Sequence, residues 1–271
     1  MRKTRKLFRR IRTIIVVLVV LVVLAAVGVF LFADRAVKSA VESAGTKTLN
    51  VGVNVDRAHA SILRGTVDLK NISVANPPGF QGAAFLKLQQ VDVAADARSL
   101  LTDEVLIKSM RLDKMELFIE QKGLQNNLYE VIKPLREPHQ PSGRGLIVDN
   151  LEITNVTVHA ALPPIPGRPQ TVDFTFGPIT MTELGRNEKI DVAILISKIV
   201  LAVAAGVAEH GGNILPKETV GEISGIVDKA IDIGKIIFGP GGKTPDGQPQ
   251  DSLGKSVTEG LKDLLGGKKK E

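Results

Sequence analysis

One eight-residue pattern, present six times, constrains this chain more than any other feature. Apolar and polar residues alternate, slip by one position, and alternate again. Copies stand at 53–60 "VNVDRAHA", 67–74 "VDLKNISV", 86–93 "LKLQQVDV", 110–117 "MRLDKMEL", 151–158 "LEITNVTV" and 174–181 "FTFGPITM", with Gly and Pro counted as non-apolar. At 44% apolar residues, about 0.5 strict matches would arise by chance between residues 51 and 184. A period of two specifies strands. One extra residue at the same place in each copy is the signature of a β-bulge, which keeps all four apolar side chains on one face. The expectation is an α+β fold built on a curved antiparallel sheet of about six bulged strands, with one apolar, concave side. "NPPGF" at 76–80 and "PPIPGRP" at 163–169 supply connections that no central strand tolerates.

Helical spacing brackets the strands. Ala36, Val37, Ala40, Val41 and Ala44 place a helical stalk at 34–50, closed by Gly45. "NNLYEVIKPL" at 126–135 reads as a short helix stopped by Pro134, and Pro134 to Gly145 as a linker that divides the strands four and two. "IDVAILISKIVLAVAAGVAEH" at 190–210 is apolar enough for a membrane span, yet Asp191 and Lys198 lie inside it. A charge at mid-span costs roughly 2.5–3.5 kcal/mol, so this segment is expected to lie on the sheet instead. A second amphipathic helix, 216–238, presents Val220, Ile223, Val227, Ala230 and Ile231 on one face. Residues 51–238 then form one sheet domain with helices packed on one face. Residues 239–271 form a flexible linker and a short tail helix that either caps the domain or touches a partner.

The net charge of +6 is placed unevenly. Arg2, Lys3, Arg5, Lys6, Arg9, Arg10 and Arg12 make a basic arm at 1–12 without a single acid, and setting those seven charges aside leaves the remainder near −1. A basic groove for nucleic acid is therefore excluded, and the chain has no Trp and one Tyr with which to stack bases. Thr13 to Ala33 carries no charge, and as a helix it spans roughly 32 Å, matching a hydrocarbon core of ~30 Å. That is too long for the apolar region of a signal peptide, so 13–33 is expected to be an uncleaved transmembrane helix. The basic arm fixes its orientation: N-terminus in the cytoplasm, everything after Asp34 outside.

No reactive constellation rises above background. "GPGGKT" at 239–244 ends like a phosphate-binding loop, but Ile237 stands where that loop needs its first Gly. "GEISG" at 221–225 has Ser224 one place too late for a nucleophile elbow. His59, His139, His159 and His210 are scattered singly with no ligand spacing, and zero Cys removes thiolate and Cys-zinc chemistry. Asp103–Glu104 and Asp113–Glu116 accompany Lys108, Arg111 and Lys114, as on a solvated strand face. The reading is a non-enzyme without cofactor or metal.

Three stretches carry a family likeness. They are Gly65 to Phe80 ("GTVDLKNISVANPPGF"), the run Val91 to Leu101 ("VDVAADARSLL"), and the alternating strands after it, closed by asparagines before Leu128. Over roughly residues 1–135 the chain resembles the N-terminal part of the AsmA-like family of bacterial envelope proteins. The resemblance implies an inner-membrane anchor, a periplasmic β-sheet groove with an apolar lining, and a role in phospholipid handling or outer-membrane biogenesis. On that reading Val53, Val55, Val67, Leu69, Ile72, Val74, Leu86 and Leu88 are the candidate lipid-facing residues. Six strands give a sheet about 29 Å across, and two helices about 10 Å wide cover much of it. The apolar face is thus either an open groove or a closed core. The second case makes the chain an anchored envelope scaffold that binds another protein through the sheet edge or the tail helix.

Overall fold

The computed structural model describes residues 17, 18, 20, 28, 32–122, 125–136, 140–161, 171–211, 215, 217–227 and 235–238. The basic arm 1–12, most of Thr13–Ala33, the loop 163–169 and the linker and tail 239–271 lie outside the described residues.

A helix over residues 32–49 (α1) leads into β1 (Val53–Ser61), β2 (Thr66–Ala75), β3 (Ala84–Ala95) and β4 (Glu104–Lys122). The two-residue β5 (Gln125–Asn126) and the short helix α2 (Asn127–Ile132) precede β6 (Gly145–Ala161). Next come β7 (Thr171–Phe176), β8 (Ile179–Leu184), α3 (Val192–Gly211), α4 (Lys217–Val227) and β9 (Lys235–Phe238). These strands form one sheet in the order β1-β2-β3-β4-β6-β8-β9, with β5 on β4 and β7 on β6.

The expected all-antiparallel sheet is corrected by its centre, where β4 and β6 run parallel from Glu104↔Gly145 to Glu120↔Ala161. Parallel neighbours need a crossover connection. The segment whose composition reads as a linker is that crossover, carrying the chain back along the length of β4. The α-helix ends at Ile132, ahead of Pro134, as expected. Pro134 itself sits in the 3₁₀ turn Lys133–Arg136 that follows α2.

The slip is also not a set of ordinary bulges. Val55↔Ile72 and Arg57↔Lys70 flank Asp56 and Asn71 without any change of register. The same holds for Leu88↔Met115 and Gln90↔Asp113, and for Asp113↔Thr154 and Met115↔Val156. Each strand carries the extra residue opposite its neighbour's. The slips therefore align as a seam through Asp56, Asn71, Gln89, Lys114 and Asn155, whereas a bulge would leave its partner strand one residue short. Asn71, Lys114 and Asn155 adopt φ of 53°, 57° and 53°, and this left-handed step reverses the pleat so that both halves face one way. From Leu146 to Val158 the buried apolar residues of β6 are Leu146, Val148, Leu151, Ile153, Val156 and Val158, a spacing of two and three in alternation, with Ala160 buried beyond them. A second seam thus crosses β4, β6 and β8 near Ser109, Asp149 and Glu183, the last with φ 59°.

The sixth copy is divided. Gly177 and Pro178 fall at its slip, and the pieces β7 and β8 lie end to end along β6. Proline offers no N–H to a ladder, so the strand breaks there. At the far edge, the expected helix 216–238 is described as helix only to Val227, and Lys235–Phe238 pairs with β8 from Ile179↔Phe238 to Thr182↔Lys235. β-branched Ile236 and Ile237 beside an open strand edge favour pairing over another helical turn. Gly45 does not close α1 either. Residues 32–49 are helical, and Asn50 ends them at φ 55°. Gly45 is a packing glycine, since a Cβ there would stand 3.0 Å from Val53 Cγ2.

Helices cover the apolar face as expected. α3 lies against β7 and β8, where a Cβ on Gly206 would come within 2.7 Å of the Phe176 ring, and α2 touches β4, α3 and α4. No residue of α3 is exposed. Lys198, buried within it, pairs with Glu188 at 2.6 Å. Asp191 lies just before the helix and caps it.

Candidate functional site

The structure brings the eight candidate lipid-facing residues to one face of β1, β2 and β3. Val55, Ile72 and Leu88 stand in one cross-strand row, and Val53, Val74 and Leu86 in another. Val55, Leu69, Ile72, Val74, Leu86 and Leu88 are buried in the core, while Val53 and Val67 are partly buried against it. Cover is thinnest at one end of these strands, where Ala58, Ala60, Val67, Val93 and Ala95 are all half-buried. The basic residues Arg2, Lys3, Arg5, Lys6, Arg9, Arg10 and Arg12 lie outside the described residues.

α1 runs along the outer edge of β1 and closes it. Asp34 Oδ1 accepts from Ala60 N at 2.7 Å, Glu42 Oε1 from Val55 N at 2.8 Å, and Thr46 Oγ1 from Val53 N at 3.0 Å. Outward N–H groups of an edge strand are a template for another chain, and here three of them are satisfied by the stalk. The same bonds fix polarity: the start of α1 lies beside the end of β1.

Asn127 performs a task its sequence context did not disclose. Its Nδ2 donates to Phe118 O (2.7 Å) and Asn76 Oδ1 (2.9 Å), and its Oδ1 accepts from Glu120 N (2.9 Å). One buried amide therefore ties β4, the β2–β3 loop and α2. Asn126, before it, caps α2 by accepting from Tyr129 N at 2.7 Å. These are the asparagines of the family likeness, and their role is structural.

Polar chemistry sits on the opposite face and at the sheet ends. A cleft of about 400 Å³ between α1 and the polar face of β1 and β2 is lined by Asp34, Arg35, Lys38, Arg57, His59 and Lys70, among others. His159, scattered by sequence, meets an acid in space: its Nδ1 lies 2.9 Å from Asp173 Oδ1 across β6 and β7, and its ring stacks on Phe118. Among the described residues no group of three or more His, Asp or Glu is arranged to hold a metal ion. Burial would raise the pKa of Asp191, but N–H donors from Ile194, Ser142, Gly143 and Ala193 outweigh it and hold the carboxyl below its ordinary value.

The decisive comparison is with a family. The sequence model of the AsmA family matches residues 1–166, more than half of the chain. The chain belongs to the AsmA family. The match extends past the strands that carry the likeness by eye, through the parallel partner β6. No curated protein matches the chain. AsmA membership points to an envelope-associated protein, which fits a sheet whose first strand is braced by a helix leading out of an apolar N-terminal segment.

Proposed function

We propose that this AsmA-family chain is a non-enzymatic, single-pass protein of the bacterial inner membrane. Its N-terminus is cytoplasmic and its sheet domain periplasmic, and it handles phospholipid at the membrane-facing end of the sheet. The observation that carries this reading is where the cover is thin. The half-buried strip of Ala58, Ala60, Val67 and Val93 lies at the end of the strands where Asp34 holds Ala60, beside the start of the helix that follows Thr13–Ala33 in the chain. Supporting the anchor, Val17, Leu18, Val20 and Phe32 are helical yet 49–60% exposed, in contrast to the enclosed α3. The burial of most candidate residues turns the full-length groove into a short apolar bay, entered from the bilayer side.

That same burial favours a second reading, an anchored scaffold with a closed core. Because α1 occupies the β1 edge, such a scaffold would present the outer edge of β7 or the tail. Photo-crosslinking separates the two. A photoreactive side chain at Val67 of the full chain in native membranes should capture phospholipid, and one at the fully buried Val158 should not. Capture of a protein, and never lipid, from position 67 would replace lipid handling with the scaffold.

A further inference from the structure

The membrane-facing end of the sheet carries two leucines that the core does not use. Leu63, in the β1–β2 turn, is 79% exposed, and Leu101, in the β3–β4 connection, is 91% exposed. Both turns lie at the end of the sheet where α1 begins, because Asp34 Oδ1 bonds Ala60 N just before the first turn. They are joined to each other: Ala95 N donates to Gly65 O at 2.7 Å. Gly65 has φ +68°, and a Cβ there would stand 2.3 Å from Ala95 O, so this close approach requires glycine.

Leu101 is held out by a rigid turn. Ser99–Leu101 is a 3₁₀ turn. Leu106 N donates to Ser99 Oγ at 2.9 Å, and Ser99 Oγ donates to Asp96 O at 2.6 Å. The Arg144 guanidinium donates to the carbonyls of Ser99, Leu100 and Thr102. A large apolar side chain fixed in water by that many bonds is costly unless something covers it. Exposed Arg64 and Arg98 flank the two leucines; the acids nearby are Asp96, which accepts from Arg98 N and pairs with Lys108, and Asp103 and Glu104, so the charge at this end is mixed and the apolar residues dominate.

We propose that Leu63 and Leu101 insert into the surface of the same bilayer that holds the anchor, with Arg64 and Arg98 at headgroup depth. The sheet domain is then seated on the membrane and its apolar bay faces the lipid. The occupant is a bilayer because these turns sit beside the start of α1, where Phe32 is exposed, as are Val17, Leu18 and Val20 in the charge-free run before it. Apolar tips beneath long basic side chains match the layering of an interface. This inference rests on the anchored reading above.

The chain has no cysteine, so single reporters can be placed without background. The full chain is reconstituted in vesicles of phosphatidylethanolamine and phosphatidylglycerol, with an environment-sensitive fluorophore on Leu63→Cys, Leu101→Cys or, at the opposite end, Ala83→Cys. Expected is a blue-shifted emission quenched by bromine-labelled acyl chains at 63 and 101, and neither at 83. Water-like emission at 63 and 101 overturns the inference. So does a blue shift that bromolipid leaves unquenched, since protein then covers the leucines. Resistance to carbonate extraction, measured on the same vesicles, reports the anchor whatever the probes do, so failure of the seating and failure of the anchor are told apart.

Discussion

At Lys114 the backbone takes φ 57° with an exposed side chain, where Asn71 and Asn155 occupy the matching places in β2 and β6. Asparagine tolerates this conformation through its short polar side chain, whereas a lysine holds it at a cost of roughly 1 kcal/mol. Lys114→Gly should therefore raise unfolding stability by up to ~1 kcal/mol, and Lys114→Val should lower it by about 1–2 kcal/mol. Denaturant melts of the two variants check the sign, and a stabilised valine variant would refute the left-handed step. Asn127 tests the opposite kind of residue. Truncation to Ala strands Glu120 N, Phe118 O and Asn76 Oδ1 together, so a loss of about 2–4 kcal/mol is expected in the same melts. The sequence placed Asn127 at the start of a short helix but gave no sign that three distant segments converge on it.

Among the elements, α3 shows how one carboxylate joins two parts of the chain. Asp191 Oδ1 accepts from Ile194 N at 3.0 Å and so caps the helix, while Oδ2 accepts from Ser142 N at 2.9 Å in the segment before β6. Its pKa is depressed on folding, so its contribution is complete above the unfolded value of about 3.9 and is lost as pH falls through the folded one. Asp191→Ala should cost about 1–2 kcal/mol at pH 7. Against Asp191→Asn, the wild-type advantage should be constant above about pH 5 and shrink steadily in acid. A gap that widened as pH fell would mean that the carboxyl is not held ionised. In β2, Leu69 and Ile72 flank the seam and are both buried. Aspartate at either should destabilise to a similar extent, by several kcal/mol, because each buries an unpaired charge on the same face. A cheap substitution at one of them would show that the strand changes faces at Asn71.

Taken as a whole molecule, the chain is a sheet with a braced first edge, a helix-covered apolar face and a polar outer face. Its orientation in the membrane is the prediction proper to this scale. With no native cysteine, Ser142→Cys should react with an impermeant maleimide added to intact spheroplasts, and Thr4→Cys only after lysis. The reverse labelling would invert the topology and with it the proposed periplasmic role.

The strands were legible in the sequence because their period is local: each buried face is written in consecutive residues, and the slip marks where the pleat reverses. α3 was legible for the same reason, and so was its place on the sheet, since Asp191 and Lys198 penalise a span. Strand direction was not. Whether β6 runs with β4 or against it depends on where the crossover returns the chain, and the polar, proline-rich residues after α2 carry no periodic signal for that. The alignment of slips into a seam was likewise settled in three dimensions, because register belongs to pairs of strands and no single strand encodes it. Local pattern fixed which side chains turn inward, and only the packed helices decided how much of that apolar face stays uncovered.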